Sequence, residues 1–278
     1  LIQLYNTNVI FMYRLFVAII NTIYIFFYTL SLWSFGAWLR FWFVPSREKK
    51  IHLGNLDFFL RSASAKQKIV DLYMAISCIN FGQYTPKGFE IKKDDTTIDI
   101  GAHIGSFSLT AARLAPEGRV FAYEPDPENY TQFLKNINAN KAHNVSAFDT
   151  AVSDKNGQIS FNTDSRNSAE SSIYKKGSGS IERRSITLEA IFQKNQLERC
   201  DFLKLDCEGA EYDIIFGSPS ALFQKIEKIV MECHTPRYFG IQNAGYNEKA
   251  MIKKLHELGY GTRVVPENKM HSLIFARR

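Results

Sequence analysis

A strand, a glycine-containing loop, a helix and a second strand follow one another between Thr96 and Glu124. β-Branched residues before Gly101 favour a buried strand, and the apolar run after Gly105 predicts a helix that begins at Ser106. Glycine at these two places permits a sharp turn and a close approach of the backbone to a ligand. A unit of this kind commits the chain to an α/β fold built on a parallel sheet.

The same loop predicts a site for a nucleoside-containing cofactor. Glu124, at the carboxyl end of the second strand, is placed to accept hydrogen bonds from two ribose hydroxyls, and the helix start offers free N–H groups. The spacing D-x-G-x-x-x-G lacks one glycine of the dinucleotide loop. Asp99 repels a pyrophosphate but attracts a cation, and S-adenosylmethionine (SAM) carries a sulfonium and an ammonium. A plain crossover with turn glycines is the alternative interpretation of this loop.

Several segments carry a resemblance to a known family. They are Thr97–Leu109, Tyr123–Pro125, Ala151–Asp154 and Leu203–Glu211. These segments resemble the FkbM family of SAM-dependent methyltransferases over about residues 84–278, and the D-x-E-G-A-E block from Asp206 is the most specific part. The resemblance implies a class I methyltransferase: a Rossmann-like, mostly parallel seven-stranded sheet with helices on both faces. It also implies SAM as cofactor and transfer to sugar or polyketide-type hydroxyls.

The resemblance and the strand ends together give the candidate site residues. Those expected to bind the cofactor are Asp99, Gly101, His103, Gly105, Glu124, Pro125, Asp149 and Asp206. His103 stands where the family usually has Asn, but an imidazole can still donate a hydrogen bond. Those expected to be catalytic are Asp206, Glu208 and His234, because the carboxyl ends of parallel strands meet at one edge beside the cofactor.

Methyl transfer to a hydroxyl needs alignment and often a base, which contributes about two to four orders of magnitude in rate. Asp206 and His234 are the candidate bases, whereas Glu208 and Glu211 are expected to orient the acceptor or shape the loop. Glu211 could instead favour the dipole of the following helix, and His234 could be an ordinary turn histidine. Together with Glu232, the side chains of Asp206, Glu208 and His234 could also bind a divalent metal ion, although no metal requirement is expected.

The amino-terminal region is apolar and predicts a hydrophobic helical extension. The run Leu15–Leu39 has no charged residue, and a helix of that length could cross a bilayer core of about 30 Å. Basic residues dominate its downstream flank, which predicts a membrane-associated or single-pass protein with the catalytic domain in the cytoplasm. A buried helical hairpin, an interfacial helix and a signal sequence are the alternatives.

Charge and cysteine content exclude other classes. The net charge is +6, and the first fifty residues hold five basic residues and one acid, so the remainder is close to neutral. A nucleic-acid partner is therefore disfavoured. The four cysteines show no C-x-x-C spacing, which disfavours a structural zinc site and suggests a reducing compartment.

The chain is accordingly predicted to consist of a membrane segment (1–50), a helical connecting region (51–83) and a methyltransferase domain (84–278). A helix is expected from Pro127 to about Asn140, and the Ser- and Gly-rich stretch Ser165–Ser180 predicts an exposed loop or lid. The predicted activity is O-methylation of a saccharide, glycolipid or other small molecule. An N-methyltransferase and a catalytically silent, membrane-tethered binding module are the alternatives; the absence of a D/N-P-P-Y motif disfavours the first.

Overall fold

The computed structural model of the protein describes residues 23, 25–163, 172–174 and 179–278. The chain forms two compact units, Leu1–Lys49 and Lys50–Arg278. Of the predicted loop or lid, residues 165–171 and 175–178 lie outside the described residues, as does most of the first half of the apolar run.

The amino-terminal unit contains an interrupted helix. Residues 25–32 are helical, the helix breaks at Trp33 and Ser34, and α1 (Phe35–Phe43) follows. The Ser34 hydroxyl accepts a hydrogen bond from the Ala37 N–H and so caps α1. The single helix expected over 15–39 is therefore not found in the described part of that run, because Ser34 begins a new helix. None of the helices in the described part of the chain combines the length and the apolar character that a membrane span requires.

The prediction of a helical region over 51–83 is wrong in its first half. Strands β1 (Glu48–Leu53) and β2 (Leu56–Arg61) form a two-stranded sheet, and only then does α2 (Ala65–Ile79) begin. Phe58 and Leu60 alternate with less buried neighbours and are fully buried, a period of two that suits a strand.

The remaining elements alternate between strands and helices. The strands are β3 (Thr96–Ile100), β4 (Arg119–Tyr123), β5 (Val145–Phe148), β6 (Ala151–Ser153), β7 (Gly157–Thr163), β8 (Gly179–Thr187), β9 (Cys200–Leu205), β10 (Ile226–His234), β11 (Gly261–Pro266) and β12 (His271–Arg277). The helices are α3 (Ser106–Leu114), α4 (Pro127–Asn140), α5 (Leu188–Lys194), α6 (Glu211–Gly217), α7 (Pro236–Phe239) and α8 (Glu248–Glu257), with a 3-10 turn at Ser220–Lys225.

Seven of these strands form the main sheet in the order β11-β12-β10-β9-β3-β4-β5. All neighbours are parallel except β12, which runs antiparallel to β10 and β11. The predicted mostly parallel seven-stranded sheet is thus confirmed. Strands β6, β8 and β7 form a separate three-stranded sheet.

Helices cover both faces of the main sheet because successive strand residues point to opposite sides. On β4, Phe121 and Tyr123 join one core, which also contains residues of α5, α6 and α8. Val120 and Ala122 join the other core, to which α3 contributes Phe107. Both layers of the predicted sandwich are therefore present.

Helix α4 begins and ends as predicted but buries a different face from the one its apolar residues suggest. Phe133 is fully buried, whereas Leu134 is exposed. The polar residues Gln132 and Asn136 are buried because they bond to the Phe59 carbonyl and N–H of β2. The helix thus stabilises the hairpin through amide hydrogen bonds to its backbone.

Candidate active site

A cavity opens where β3, β4 and β9 end. Of the residues predicted from the sequence, those that line it are Gly101, His103, Glu124, Pro125, Asp206 and Glu208. Asp99, Gly105, Asp149 and His234 lie outside its lining.

The two loop glycines are required by packing. Gly101 has φ +80°, and a Cβ there would lie 1.8 Å from the Asp206 carbonyl oxygen at the end of β9. Gly105 has φ +88°, and a Cβ there would lie 2.1 Å from Phe133 Cδ2. The glycines therefore let the loop lie against the end of β9 and against α4.

Glu124 is buried beside the loop and is already bonded to the protein. Its Oε2 accepts from the His103 N–H at 2.7 Å, and its Oε1 accepts from the Asp126 N–H at 2.9 Å and Asn129 Nδ2 at 3.2 Å. Burial and the neighbouring Asp126 raise the pKa of Glu124 to about 7. A carboxylate has about four acceptor positions. The geometry leaves room for about one ligand hydrogen bond, fewer than the two ribose bonds expected from the sequence.

Asp99 lies beneath the loop in a buried ion pair. Its Oδ1 is 3.1 Å from Lys204 Nζ, its Oδ2 accepts from the Ser108 hydroxyl, and Lys204 also donates to the Gly101 carbonyl at 2.7 Å. Burial alone would lower the pKa of Lys204, but Asp99 and Asp206 raise it. The Asp99 charge is therefore balanced inside the protein, and a direct contact between Asp99 and the cofactor stays a prediction.

Asp149 follows β5 and pairs with two arginines. Its Oδ1 accepts from Arg184 Nη2 at 2.8 Å, and its carbonyl accepts from Arg183 Nη2 at 2.9 Å. The next residues, Thr150 and Ala151, line the cavity. The structure thus places Asp149 next to the lining, and its contact with the cofactor also stays a prediction.

Acidic and imidazole side chains meet at the ends of β9, β10 and β12. Tyr84 Oη lies 3.0 Å from both Asp206 Oδ2 and Glu232 Oε1. Glu232 Oε2 is 3.7 Å from His234 Nε2 and 3.6 Å from His271 Nε2. We call Tyr84, Asp206, Glu232, His234 and His271 the acid–imidazole cluster. A phenol has one hydrogen and cannot donate to two carboxylates at once, so this geometry suits a protonated carboxyl.

The charges within the cluster shift the protonation of its members. Burial and Asp206 raise the pKa of Glu232 to about 7. Burial alone would lower the pKa of His234, but Glu211, Glu208 and Glu232 raise it well above its usual value. His271 likewise has a raised pKa, since Glu267 and Glu232 outweigh the effect of its burial. The imidazole of His234 is therefore protonated near neutral pH, which favours an orienting role over that of a base.

Glu211 holds both the loop and His234. It is fully buried; its Oε1 accepts from the Cys207 N–H and its Oε2 from the Gly209 N–H, each at 2.9 Å. Oε1 also lies 2.8 Å from His234 Nδ1. Glu208, in contrast, lines the cavity, has φ +55°, and lies 3.9 Å from His234 Nε2. Glu211 is accordingly a structural partner of the loop, whereas Glu208 forms part of the cavity wall.

Two groups within the described residues have the composition of a metal site. They are Glu232, His234 and His271, and Asp206, Glu208 and His234, each with ligand atoms within 4.8 Å of one another. Mixed oxygen and imidazole donors suit several divalent ions.

The sequence did not point to Tyr84, His271, Arg61 or Asp71. Tyr84 reaches the cluster from a loop before β3, and His271 is opposite His234 in the antiparallel pair of β10 and β12. A signal for His271 in the sequence is its position one residue before the largely apolar stretch Ser272–Ala276, which has the pattern of a strand. Arg61 Nη2 lies 2.8 Å from His103 Nε2. Strand β2, which the sequence analysis did not predict, places Arg61 there.

Comparison with known proteins identifies relatives of this chain. Residues 99–261 match the methyltransferase FkbM domain. The hexuronic acid methyltransferase AglP of Haloferax volcanii is 25% identical over 68% of this chain and 73% of AglP. The 2-O-methyltransferase NoeI of Sinorhizobium fredii is 26% identical over 47% of this chain; the match spans 60% of NoeI, less than two thirds of its length.

Among solved structures, precorrin-6y C5,15-methyltransferase of Geobacter metallireducens aligns with 80% of this chain and 94% of its own, at a TM-score of 0.44 and 15% identity. The match to the FkbM domain extends over more than half of the chain and contains the glycine loop, Glu124 and the D-x-E-G-A-E block. The chain therefore belongs to the FkbM family and is a methyltransferase that uses SAM as its cofactor.

Proposed function

We propose that the protein transfers a methyl group from SAM to a hydroxyl oxygen of a saccharide or saccharide-containing acceptor. The observation that carries the proposal is the acid–imidazole cluster, which lies beside the cavity and reaches it through Asp206. A hydroxyl must lose its proton as the methyl group is transferred, and a site with several buried carboxyls suits that task.

The lining of the cavity suits the cofactor by its charges and its hydrogen-bonding groups. Gly101 and His103 of the glycine loop line it, and Glu124 offers an acceptor to a ribose hydroxyl. Asp206 and Glu208 place negative charge at the cavity wall, which suits a cationic ligand. When bound, SAM supplies an electrophilic methyl carbon whose sulfur departs with the bonding electron pair.

The residues of the cluster provide a route for the acceptor's proton. Asp206 lines the cavity and takes the hydroxyl proton, and the Tyr84 phenol transfers a proton onward to Glu232. A pKa of about 7 makes Glu232 a suitable holder of that proton near neutral pH. The His234 imidazolium, fixed by Glu211, stabilises the ionised form of Glu232.

The names of two relatives support a saccharide hydroxyl as the acceptor, since one specifies a hexuronic acid and the other specifies transfer to oxygen. AglP is a hexuronic acid methyltransferase and NoeI is a 2-O-methyltransferase. A sugar hydroxyl has a high pKa and therefore needs the general base that the cluster offers. An amine acceptor, once deprotonated, does not need a base in the transfer step, so the cluster favours the hydroxyl over the amine.

The proposal is tested by incubating the full chain with methyl-labelled SAM and matched acceptors. One set contains hexuronic acid oligosaccharides with free hydroxyls, and the second contains amino sugars whose hydroxyls are all blocked. Mass spectrometry should find label in the first set alone, and nuclear magnetic resonance should place it on oxygen. Label in the second set alone would overturn the proposal in favour of N-methylation. Loss of activity in EDTA, with recovery in Mg²⁺ or Mn²⁺, would replace the proton route by metal ligation.

We also propose that the amino-terminal unit attaches the protein to a membrane, with the catalytic domain facing the cytoplasm. Phe27, Phe35 and Phe43 in that unit are 61%, 63% and 64% exposed. Exposed aromatic side chains on short helices favour the boundary between headgroups and acyl chains, and the downstream basic residues favour anionic lipid. The exposed phenylalanines and the basic residues suit a helix that lies on the surface of the bilayer.

A further inference from the structure

A buried ion pair from the region before the main sheet reaches the cofactor loop. Arg61, the last residue of β2, donates from Nε to Asp71 Oδ2 at 3.0 Å and from Nη2 to Asp71 Oδ1 at 2.7 Å. Asp71 belongs to α2 and is fully buried. The same Nη2 lies 2.8 Å from His103 Nε2. The ion pair therefore connects β2 and α2 to the loop between β3 and α3.

The contact with Arg61 determines which nitrogen of His103 carries a proton. A guanidinium has N–H donors and no acceptor, so His103 Nε2 must accept through its lone pair. Burial, with Arg61 and Lys204, lowers the pKa of His103 well below its usual value. The imidazole is therefore neutral, and its one proton is on Nδ1.

The Nδ1–H group is buried and has no hydrogen-bond partner among the residues that the structure describes. His103 lines the cavity, and its backbone N–H is bonded to Glu124, the proposed ribose acceptor. A buried donor without a partner is costly, so an acceptor atom of a bound ligand would stabilise this arrangement. His103 is thus a residue of the cavity lining whose buried N–H donor has no partner among the described residues.

We propose that Arg61 and Asp71 are positioning residues that hold His103 in the Nδ1–H tautomer, and that this N–H donates to an acceptor atom of bound SAM. The inference rests on the proposed placement of SAM in this cavity. Arg61 also donates from Nη1 to Asn129 Oδ1 at 2.6 Å, and Asn129 bonds to Glu124. One guanidinium thus orients two residues that contact Glu124.

The tautomer is measured directly in the full chain labelled with ¹⁵N. Two-bond ¹H–¹⁵N correlations separate the Nδ1–H and Nε2–H forms, and the His103 signals are identified by their loss in His103→Asn. We expect a single Nδ1–H pattern in the wild type without ligand. An Nε2–H pattern or an imidazolium at neutral pH in the wild type would overturn the proposal, whatever the variants do.

The functional consequence is measured by calorimetry with S-adenosylhomocysteine. Arg61→Met combined with Asp71→Leu removes both charges together, which folded proteins tolerate better than the loss of one. We expect affinity to fall roughly tenfold, the size of one hydrogen bond. In the His103→Asn background the same double change should alter affinity less than about twofold, because an Asn amide carries its own donors. Equal effects in both backgrounds would mean that the ion pair acts without His103.

Asn140→Ala is the matched control, because Asn140 also ties β2 to α4 through two bonds to the Asp57 backbone, away from His103. It should reduce stability and leave the His103 tautomer and the affinity unchanged. Failure of the wild type to bind S-adenosylhomocysteine would overturn the placement of SAM in the cavity, and the inference with it. Binding without methyl transfer to hydroxyls would affect only the proposed acceptor.

Discussion

His234 Nδ1 lies 2.8 Å from Glu211 Oε1, and both side chains are buried. The carboxylate can only accept, so the imidazole donates from Nδ1 and presents Nε2 to Glu208 and to Glu232 of the acid–imidazole cluster. One buried acid thus fixes the orientation of the imidazole and keeps it protonated.

This contact predicts a pH-dependent stability. The folded-state pKa of His234 lies above its unfolded value of about 6.5, so the stabilisation is fully present below about pH 6.5 and is lost as the pH rises through the folded value. Glu211→Gln should lower the free energy of unfolding by about 3 kcal/mol at about pH 6, and by less at about pH 9. Urea unfolding at the two pH values measures the difference.

The control for that experiment is Glu189→Gln. Glu189 occupies the first turn of α5, as Glu211 occupies the first turn of α6, but its side chain is exposed. Its substitution should change stability by less than about 0.5 kcal/mol at both pH values. A Glu211→Gln effect that is equal at both pH values would contradict the link to His234.

A second prediction concerns Glu232 as the proton holder. The ionised form receives the proton, so kcat should fall as the pH drops below about 7, the pKa to which burial and Asp206 raise the carboxyl. Glu232→Gln should lower kcat by about 10²-fold and leave the affinity for S-adenosylhomocysteine unchanged. Glu227→Gln, near the start of the same strand and partly exposed, should keep wild-type kinetics. An unaltered pH–rate profile in Glu232→Gln would remove Glu232 from the mechanism.

A third prediction concerns the phenol between the two acids. The Tyr84 hydrogen bond lowers the pKa of Glu232, so Tyr84→Phe should move the acidic limb of the pH–rate profile to higher pH. Tyr260→Phe is the matched control, since its buried phenol bonds to the Phe223 and Ile226 carbonyls far from the site. It should reduce stability without moving the limb. Because the proposed proton route runs through this phenol, Tyr84→Phe should also lower kcat. Wild-type kcat with an unmoved limb would show that the proton does not pass through Tyr84.

The fold could be read from the sequence where local pattern and tertiary environment agree. The β-branched run before Gly101 and the glycines of the loop specify one strand and one turn, and both are present. Helix α4 begins at Pro127, with the Asp126 side chain capping its first turn, as local chemistry requires. These features depend on neighbours within a few residues, so one sequence is enough to predict them.

The rest of the site depends on contacts that are remote in the chain. His271 reaches Glu232 because β12 pairs with β10 in one register. Tyr84 donates to Glu232 although the two residues are 148 positions apart in the sequence. Hydropathy also does not indicate that Asn136 of α4 is buried, because this side chain accepts a hydrogen bond from the Phe59 N–H of the remote strand β2. Polar side chains that form hydrogen bonds with the backbone of a distant strand cannot be distinguished from surface residues in the sequence alone.

A fourth prediction tests the packing of the loop. Gly101→Ala should lower the free energy of unfolding by more than about 3 kcal/mol and abolish cofactor binding, because a Cβ would lie 1.8 Å from the Asp206 carbonyl oxygen. Gly88→Ala separates this clash from backbone strain: its φ is +90°, and a Cβ there would meet nothing within 4 Å. It should cost about 1 to 2 kcal/mol and leave binding intact. Equal losses of stability in Gly101→Ala and Gly88→Ala would mean that backbone strain, and not the clash with Asp206, explains why glycine is required at position 101.

The last prediction concerns the amino-terminal unit. The full-length protein should float with anionic liposomes, and Phe35→Ser combined with Phe43→Ser should reduce the bound fraction at least fivefold, because burial of two aromatic rings is lost. Phe81→Ser is the control, since Phe81 is 50% exposed but belongs to the other unit. High salt should release only part of the wild type, because salt screens the basic residues and leaves apolar burial unaffected. Equal flotation of the double variant and the Phe81 control would show that these phenylalanines do not contact lipid.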